Sequence, residues 1–346
     1  MKPLNNKRIV NVNMGITIFI TLVFLILLPL IIGDLYIVHL LIMSCIAIVL
    51  GMSFSMQYSA GLVNIGAAAY YAIGAYSSTL LVTKLGFSFW TALPVSIVTT
   101  GIISLITGLA FIKAGTFTFV ILTLLFNLTL VEALGQVEVL GGWRGFVGIP
   151  RPDPIPVLFH SPIEFSGHIS CYYLILSILL LIVLAFFALY SSRIGRAWKA
   201  INQSSRLAET LGINVYYYRV LAFVVASSAS GAVGCFYAHY FGTMEPVTFG
   251  GFTSIYIQLY SVLGGLQYYI LGPAIGATIM IFGPELLRIT SELQPIIFGI
   301  ILLIIILLFP RGILGTLLHL PCFEIASIFG RIGKIKDLIF SKRNSS

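Results

Sequence analysis

The sequence offers few groups that could carry chemistry. Within or beside its apolar runs the ionisable residues are His39, Glu132, His239, Glu245, Glu285 and Arg288. A proton-coupled carrier needs carboxylates and histidines arranged as a relay through the membrane, and most of these residues fall near run ends instead. Glu285 and Arg288, spaced i, i+3, can pair on one helical face. The cysteines Cys45, Cys171, Cys235 and Cys322 have no short paired spacing, which argues against both a disulfide framework and a zinc site. The phosphate loop G-x-x-x-x-G-K-S/T, H-E-x-x-H and G-x-S-x-G are missing, so neither an enzyme active site nor a bound cofactor is expected in this chain.

The densest polar stretch is "SSRIGRAWKAINQSSRLAETLGINVYYYR", residues 191–219. Ile194, Ala197, Trp198 and Ile201 recur at i, i+3, i+4 and i+7 and share one helical face, with Arg196, Lys199 and Gln203 on another. Ser205 is placed to cap a second short helix carrying Leu207, Ala208, Glu209 and Leu211, and Gly212 to stop it. Two short helices follow, and a basic amphipathic helix of this kind ordinarily rests on the membrane surface.

The elements that must position these residues are membrane helices. With 59% hydrophobic and 9% charged residues over 346 positions and a mean hydropathy of +1.05, the chain cannot hide its apolar surface in a soluble core. A bilayer core needs roughly 20 apolar residues per helix. Ten runs approach that length: 15–33, 35–56, 62–83, 88–112, 117–134, 171–190, 220–240, 253–270, 273–287 and 295–309. They are continuous rather than alternating, which predicts an all-α polytopic fold and no barrel. The run at 15–33 follows Lys2, Lys7 and Arg8, but no small-residue cleavage site follows it, so a retained span is expected over a signal peptide.

With both termini cytoplasmic, only Lys84, Arg144, Arg151 and Arg288 of the nineteen basic residues fall outside. Topology and anionic lipid thus account for the net charge of +8, which gives no argument for nucleic acid. The expected organisation is a cytoplasmic segment 1–14, a transmembrane domain 15–315 and a basic cytoplasmic tail 316–346. Two loops interrupt the domain. The external one, 135–170, carries Pro150, Pro152, Pro154, Pro156 and Pro162, with Gly141, Gly142, Gly145 and Gly148 around Trp143 and Arg144, and reads as a shaped element without regular helix. The other is the cytoplasmic stretch 191–219.

Two zones of small residues mark close packing or a narrow path. The first is "SAGLVNIGAAAYYAIGAY", read as the opening of the third span, with Gly66 and Gly74 and with Asn64, whose amide is expected to find an interhelical partner. The second is "SVLGGLQYYILGPAIGA", where Gly264, Gly265, Gly272, Pro273 and Gly276 should break or kink the helices between the eighth and ninth runs.

Several stretches, taken in order, resemble the permease subunit of branched-chain amino-acid ABC importers. "GLVNIGAAAYYAIGAY" is similar to that family's early Gly-rich helix, "GTFTFVILTL" to its next signature and "GGWRGFVGIP" to its external Gly-Gly loop. The stretch from Ser192 to Gly242 is similar to its cytoplasmic coupling loop and following helix, and "PELLR" and "LLFPRGILG" complete the series, which covers roughly residues 52–315. The resemblance implies that a short helix of 191–219 docks in a cleft of a separate ATPase, with Gly195, Arg196, Ala200, Ala208, Glu209 and Gly212 matching the motif. It also implies a substrate pathway near Asn64, Gly66, Gly74, Gly264, Gly265, Gly272 and Pro273, and an external loop built on Gly141, Gly142 and Gly145. The implied partners are two cytoplasmic ATPase subunits that bind ATP and Mg, a second homologous permease and an extracytoplasmic solute-binding protein. The family usually carries His where this chain has Ala67, Ser at Asn64 and Thr at Leu140. Hydrophobic amino acids are the expected cargo; urea, short amides, sugars or nucleosides on the same machinery, or ion-coupled secondary transport, are the alternatives.

Overall fold

The computed structural model describes residues 29, 33–154, 165, 167–286, 294–309 and 312–318. Its helices are α1 Leu35–Ser59, α2 Ala67–Leu85, α3 Phe89–Phe111, α4 Thr116–Gln136, α5 His168–Ser191, α6 Arg193–Gln203, α7 Ser205–Thr210, α8 Val215–Phe241, α9 Gly251–Gly264, α10 Leu271–Leu286, α11 Gln294–Leu308 and α12 Gly312–Leu318. Of these, α1, α3 with its 3-10 extension to Ala114, α4, α5 and α8 are long and apolar enough to cross a membrane. The protein is an all-α polytopic membrane protein. Nearly all of the run 15–33, Arg288 of the expected Glu285 pair, Cys322 and most of the basic tail lie outside the described residues.

Backbone approach sets the centre of the bundle. Gly74 of α2 lies directly on Gly231 of α8, so that a Cβ on Gly74 would overlap the Gly231 carbonyl, and Gly234 meets the Tyr71 carbonyl in the same way. In lipid, where apolar side chains gain little by leaving their surroundings, such crossings hold helices together through dispersion contact. Accordingly α8 is the most buried long helix, with 72% of its most apolar window covered, and α4 the least, with 22%. Val98, Ile102 and Ile106 of α3 and Leu181, Leu184 and Phe187 of α5 face outward, as lipid-facing surface should.

Two boundaries differ from the sequence reading. The run 62–83 is not helical at its start: α1 ends at Ser59, Gly61 turns the chain at φ 74°, and α2 begins only at Ala67. The run 253–270 ends as helix at Gly264, and Gly265, at φ 117°, starts a tight turn into α10. That second break falls where the Gly cluster predicts it. The described cysteines Cys45, Cys171 and Cys235 are free and buried.

Candidate functional site

At one end of the bundle the chain leaves α5 and folds α6 and α7 into a hairpin. The Ser192 hydroxyl caps α6 by accepting from the Ile194 N–H at 3.1 Å. Ser204, not Ser205, caps α7, accepting from Leu207 N–H at 3.3 Å, and Asn214 caps α8 through Tyr217 N–H at 3.0 Å. Gly212 ends α7 at φ 78°, its N–H on the Glu209 carbonyl at 2.9 Å.

The apolar face of α6 packs on protein. Trp198 is fully buried; its indole N–H donates to the Tyr218 carbonyl at 2.8 Å and its ring meets Tyr190 edge-on. Gly195 abuts the Tyr190 carbonyl, where a Cβ would overlap. Ile201, Ala208 and Val215 form a small core inside the hairpin, with Ala200 packed beside it. A membrane-surface role for this face is therefore corrected, because the residues that would enter lipid are already covered. Arg219 ties the hairpin to α1: its Nε donates to the Ala60 carbonyl at 3.2 Å and its Nη2 to the Ser205 hydroxyl at 2.8 Å. The turn after α9 reaches the same place, as Tyr269 stacks on Tyr190 with ring centroids 4.8 Å apart.

Of the six motif residues, Arg196, Glu209 and Gly212 lie on the outer face, while Gly195 and Ala208 are buried and Ala200 is half-buried. Exposed Leu207, Leu211 and Tyr217 add an apolar patch to that face. The caps Ser192, Ser204 and Asn214 and the bridge from Arg219 escaped the sequence reading. Polar residues two or three positions ahead of each helix's first free N–H were the available signal for the caps.

At the break between α1 and α2 the side chains are polar and buried. The Asn64 Oδ1 accepts from the Gly66 N–H at 2.9 Å, so its bond is local, not interhelical. Gly66 presses on the Thr123 carbonyl of α4. The Asn127 Nδ2 donates to the Phe249 carbonyl at 3.0 Å, and the Ala68 N–H donates to the Ser254 hydroxyl at 3.0 Å. Gly74 lies elsewhere, on α8. Gly264 and Gly272 pack on each other's turn, Gly312 seats α12 against Gly265, and Pro273 lies against Gly51 of α1. The small residues expected along the pathway thus sit at close approaches in different parts of the bundle.

The opposite end carries the glycine loop. Gly141, Gly142 and Gly145 adopt φ of 88°, 56° and 67°, and Gly145 sits on the Met244 carbonyl. A two-residue antiparallel ladder follows, with β1 Phe146–Val147 against β2 Thr243–Met244 and Phe146 opposite Met244. The loop then ties down three helix ends. His239 Nδ1 of α8 donates to the Pro150 carbonyl at 2.7 Å, the Phe89 N–H at the start of α3 donates to Asp153 Oδ2 at 2.9 Å, and Lys84 Nζ at the end of α2 donates to the Val139 carbonyl at 2.7 Å. Among the described residues no three His, Cys, Asp or Glu side chains converge to hold a metal.

The chain matches the family described as branched-chain amino acid transport system / permease component over residues 36–309. It is 27% identical over 293 residues to the high-affinity branched-chain amino acid transport system permease protein LivM of Salmonella typhimurium, covering 79% of this chain and 68% of that one. The Escherichia coli protein of the same name is 26% identical over the same shares. The permease protein LivH of Salmonella typhimurium is 27% identical over 199 residues, 54% of this chain and 64% of that one. No solved structure matches the chain. A match over most of the length, on a bundle of membrane-crossing helices with a capped hairpin at one end, makes this chain a member of the branched-chain amino acid permease family.

Proposed function

We infer that this chain is the membrane-spanning permease subunit of an ATP-driven importer of branched-chain amino acids. It pairs with a second, homologous permease, and receives cargo from an extracytoplasmic binding protein. ATP and Mg belong to two cytoplasmic ATPase subunits, and this chain supplies the path. In this reading ten helices cross the membrane, both termini and the α6–α7 hairpin are cytoplasmic, and the glycine loop with its ladder faces outward.

One observation carries the mechanism: the hairpin is fastened to three other elements through buried or half-buried groups. Trp198 and Gly195 hold it to the ends of α8 and α5, and Arg219, through the Ser205 hydroxyl, holds it to the end of α1. A push on its outer face therefore moves helix ends rather than bending a loop. ATP-driven closure of the partner subunits, gripping the hairpin more tightly in one arrangement of the helices than in the other, would shift the bundle between inward-open and outward-open states. The apolar and charged outer face, with Leu207, Leu211, Tyr217, Arg196 and Glu209, suits a protein partner better than water.

The test is made on the complete transporter in vesicles. Glu209→Lys reverses a charge on the outer face, and Gly212→Pro forces φ near −65° on a residue that needs φ 78°. Both are expected to abolish stimulation of the ATPase by loaded binding protein while the chain still inserts. Stimulation at the wild-type level in both variants would refute the coupling role.

A further inference from the structure

Two fully buried amides stand on either side of Gly66, and each has one polar atom without a partner among the described residues. Their orientations are fixed by what they already bind. Asn64 accepts from a backbone N–H, which can only donate, so its oxygen is committed and its Nδ2 is left over. Asn127 donates to a backbone carbonyl, which can only accept, so its nitrogen is committed and its Oδ1 is left over. The Asn127 Cβ lies 3.4 Å from where a Cβ on Gly66 would stand, so both side chains flank the same residue.

The place is also the start of α2, a 19-residue helix whose cap Gly66 brings no side chain to its first N–H groups. Irregular backbone beside an apolar bundle persists where it is enclosed by protein or faces cargo, and a helix start there favours negative charge. One unpartnered donor, one unpartnered acceptor and a helix N-terminus form a pattern that an amino-acid zwitterion completes. Its carboxylate accepts from Asn64 Nδ2 at the helix start, and its ammonium donates to Asn127 Oδ1. Asn64, Asn127, Ser254 and the Phe249 carbonyl carry no net charge, which matches a zwitterion and not an anion or a cation.

We propose that the Asn64–Gly66 break and Asn127 form the intramembrane station that holds the α-amino and α-carboxylate groups of the amino acid in transit. The proposal rests on the transport reading above and adds the site to it. In the arrangement described here α4 is closed over the station, since Gly66 touches the Thr123 carbonyl. Separation of α4 from the break is the movement that admits cargo.

Asn64→Asp separates function from structure, because it keeps the oxygen that accepts from Gly66 N–H and removes the spare donor. In proteoliposomes holding the complete transporter, radiolabelled leucine uptake and ATPase stimulation are measured together. Uptake by Asn64→Asp at about pH 8 should fall about tenfold against wild type, with stimulation kept within about twofold. At about pH 6 part of the uptake should return relative to wild type, since a protonated carboxyl regains a donor. Wild-type uptake across that range, or loss of uptake and stimulation together, overturns the assignment. Should Asn64→Asp not accumulate, Asn127→Leu carries the same test, with uptake down by about tenfold and stimulation kept; unchanged uptake overturns it equally. Failure of the transport reading itself would show in the wild-type complex, whereas failure of the station shows only in the variants.

Discussion

Glycines in this chain do two different jobs, and substitutions distinguish them. At Gly66 the φ is ordinary, and what forbids a side chain is the Thr123 carbonyl already occupying its space. At Gly212 nothing lies near, and what forbids a side chain is φ 78°. Gly66→Ala must push α4 aside, which overpacking data put at about 1–3 kcal/mol. Gly212→Ala meets only the left-handed penalty of about 1 kcal/mol. The thermal unfolding midpoint of the detergent-solubilised chain should therefore fall further for Gly66→Ala. Trp198→Phe belongs to a third kind. It removes the indole N–H that reaches the Tyr218 carbonyl and leaves a smaller ring in a fully buried place, and should lower stability by about 1–3 kcal/mol with little change in helix content by circular dichroism.

Among the elements, the α6–α7 hairpin was the most legible in sequence and its neighbours the least. The period of Ile194, Ala197, Trp198 and Ile201 told which face of α6 is covered, and all four are buried or partly buried. Periodicity carries no information on what does the covering, and here protein rather than lipid does. The break at residues 61–66 was hidden for a related reason: hydropathy sums side chains and does not see backbone, so "GLVNIG" joined the apolar run behind it. Gly61 and the Asn64-to-Gly66 spacing were the turn signals available there. The candidate site suffered most, because small residues look alike in sequence whether they line a path or seat a crossing. What separates Gly66, beside two orphaned amide atoms, from Gly74, which seats α8, is the packing each meets in the folded chain. The hairpin also yields a prediction at its own scale. Arg219 is the bridge between it and α1, so Arg219→Gln should leave the ATPase subunits co-purifying with the chain while reducing stimulated ATPase activity several-fold. Loss of co-purification would instead make Arg219 part of the grip itself.

For the whole molecule, the transport cycle requires that its two ends lie on opposite sides of the membrane, and the long helices make this a sharp requirement. The direction of α1 is set by its contacts: His39 Nδ1 near its start lies 2.8 Å from the Tyr240 hydroxyl at the far end of α8, while Ala60 just beyond its end meets Arg219 at the near end of α8. The two helices are therefore antiparallel, and the hairpin and the β1–β2 ladder sit at opposite ends of both. A 27-residue α8 rises about 40 Å at 1.5 Å per residue, more than the roughly 30 Å hydrocarbon core, so the two ends cannot share one aqueous side. Asn202 on the hairpin and Val147 on the ladder are both exposed, and single cysteines placed there in a background lacking Cys45, Cys171, Cys235 and Cys322 report each side separately. In intact cells an impermeant maleimide should label Val147→Cys and spare Asn202→Cys, and permeabilisation should expose the latter. Labelling of Asn202→Cys from outside would put the hairpin beyond reach of any cytoplasmic ATPase, and the coupling reading would fall with it. Equal labelling of both sites in intact cells would instead contradict a membrane-crossing α8 with the two sites at its opposite ends.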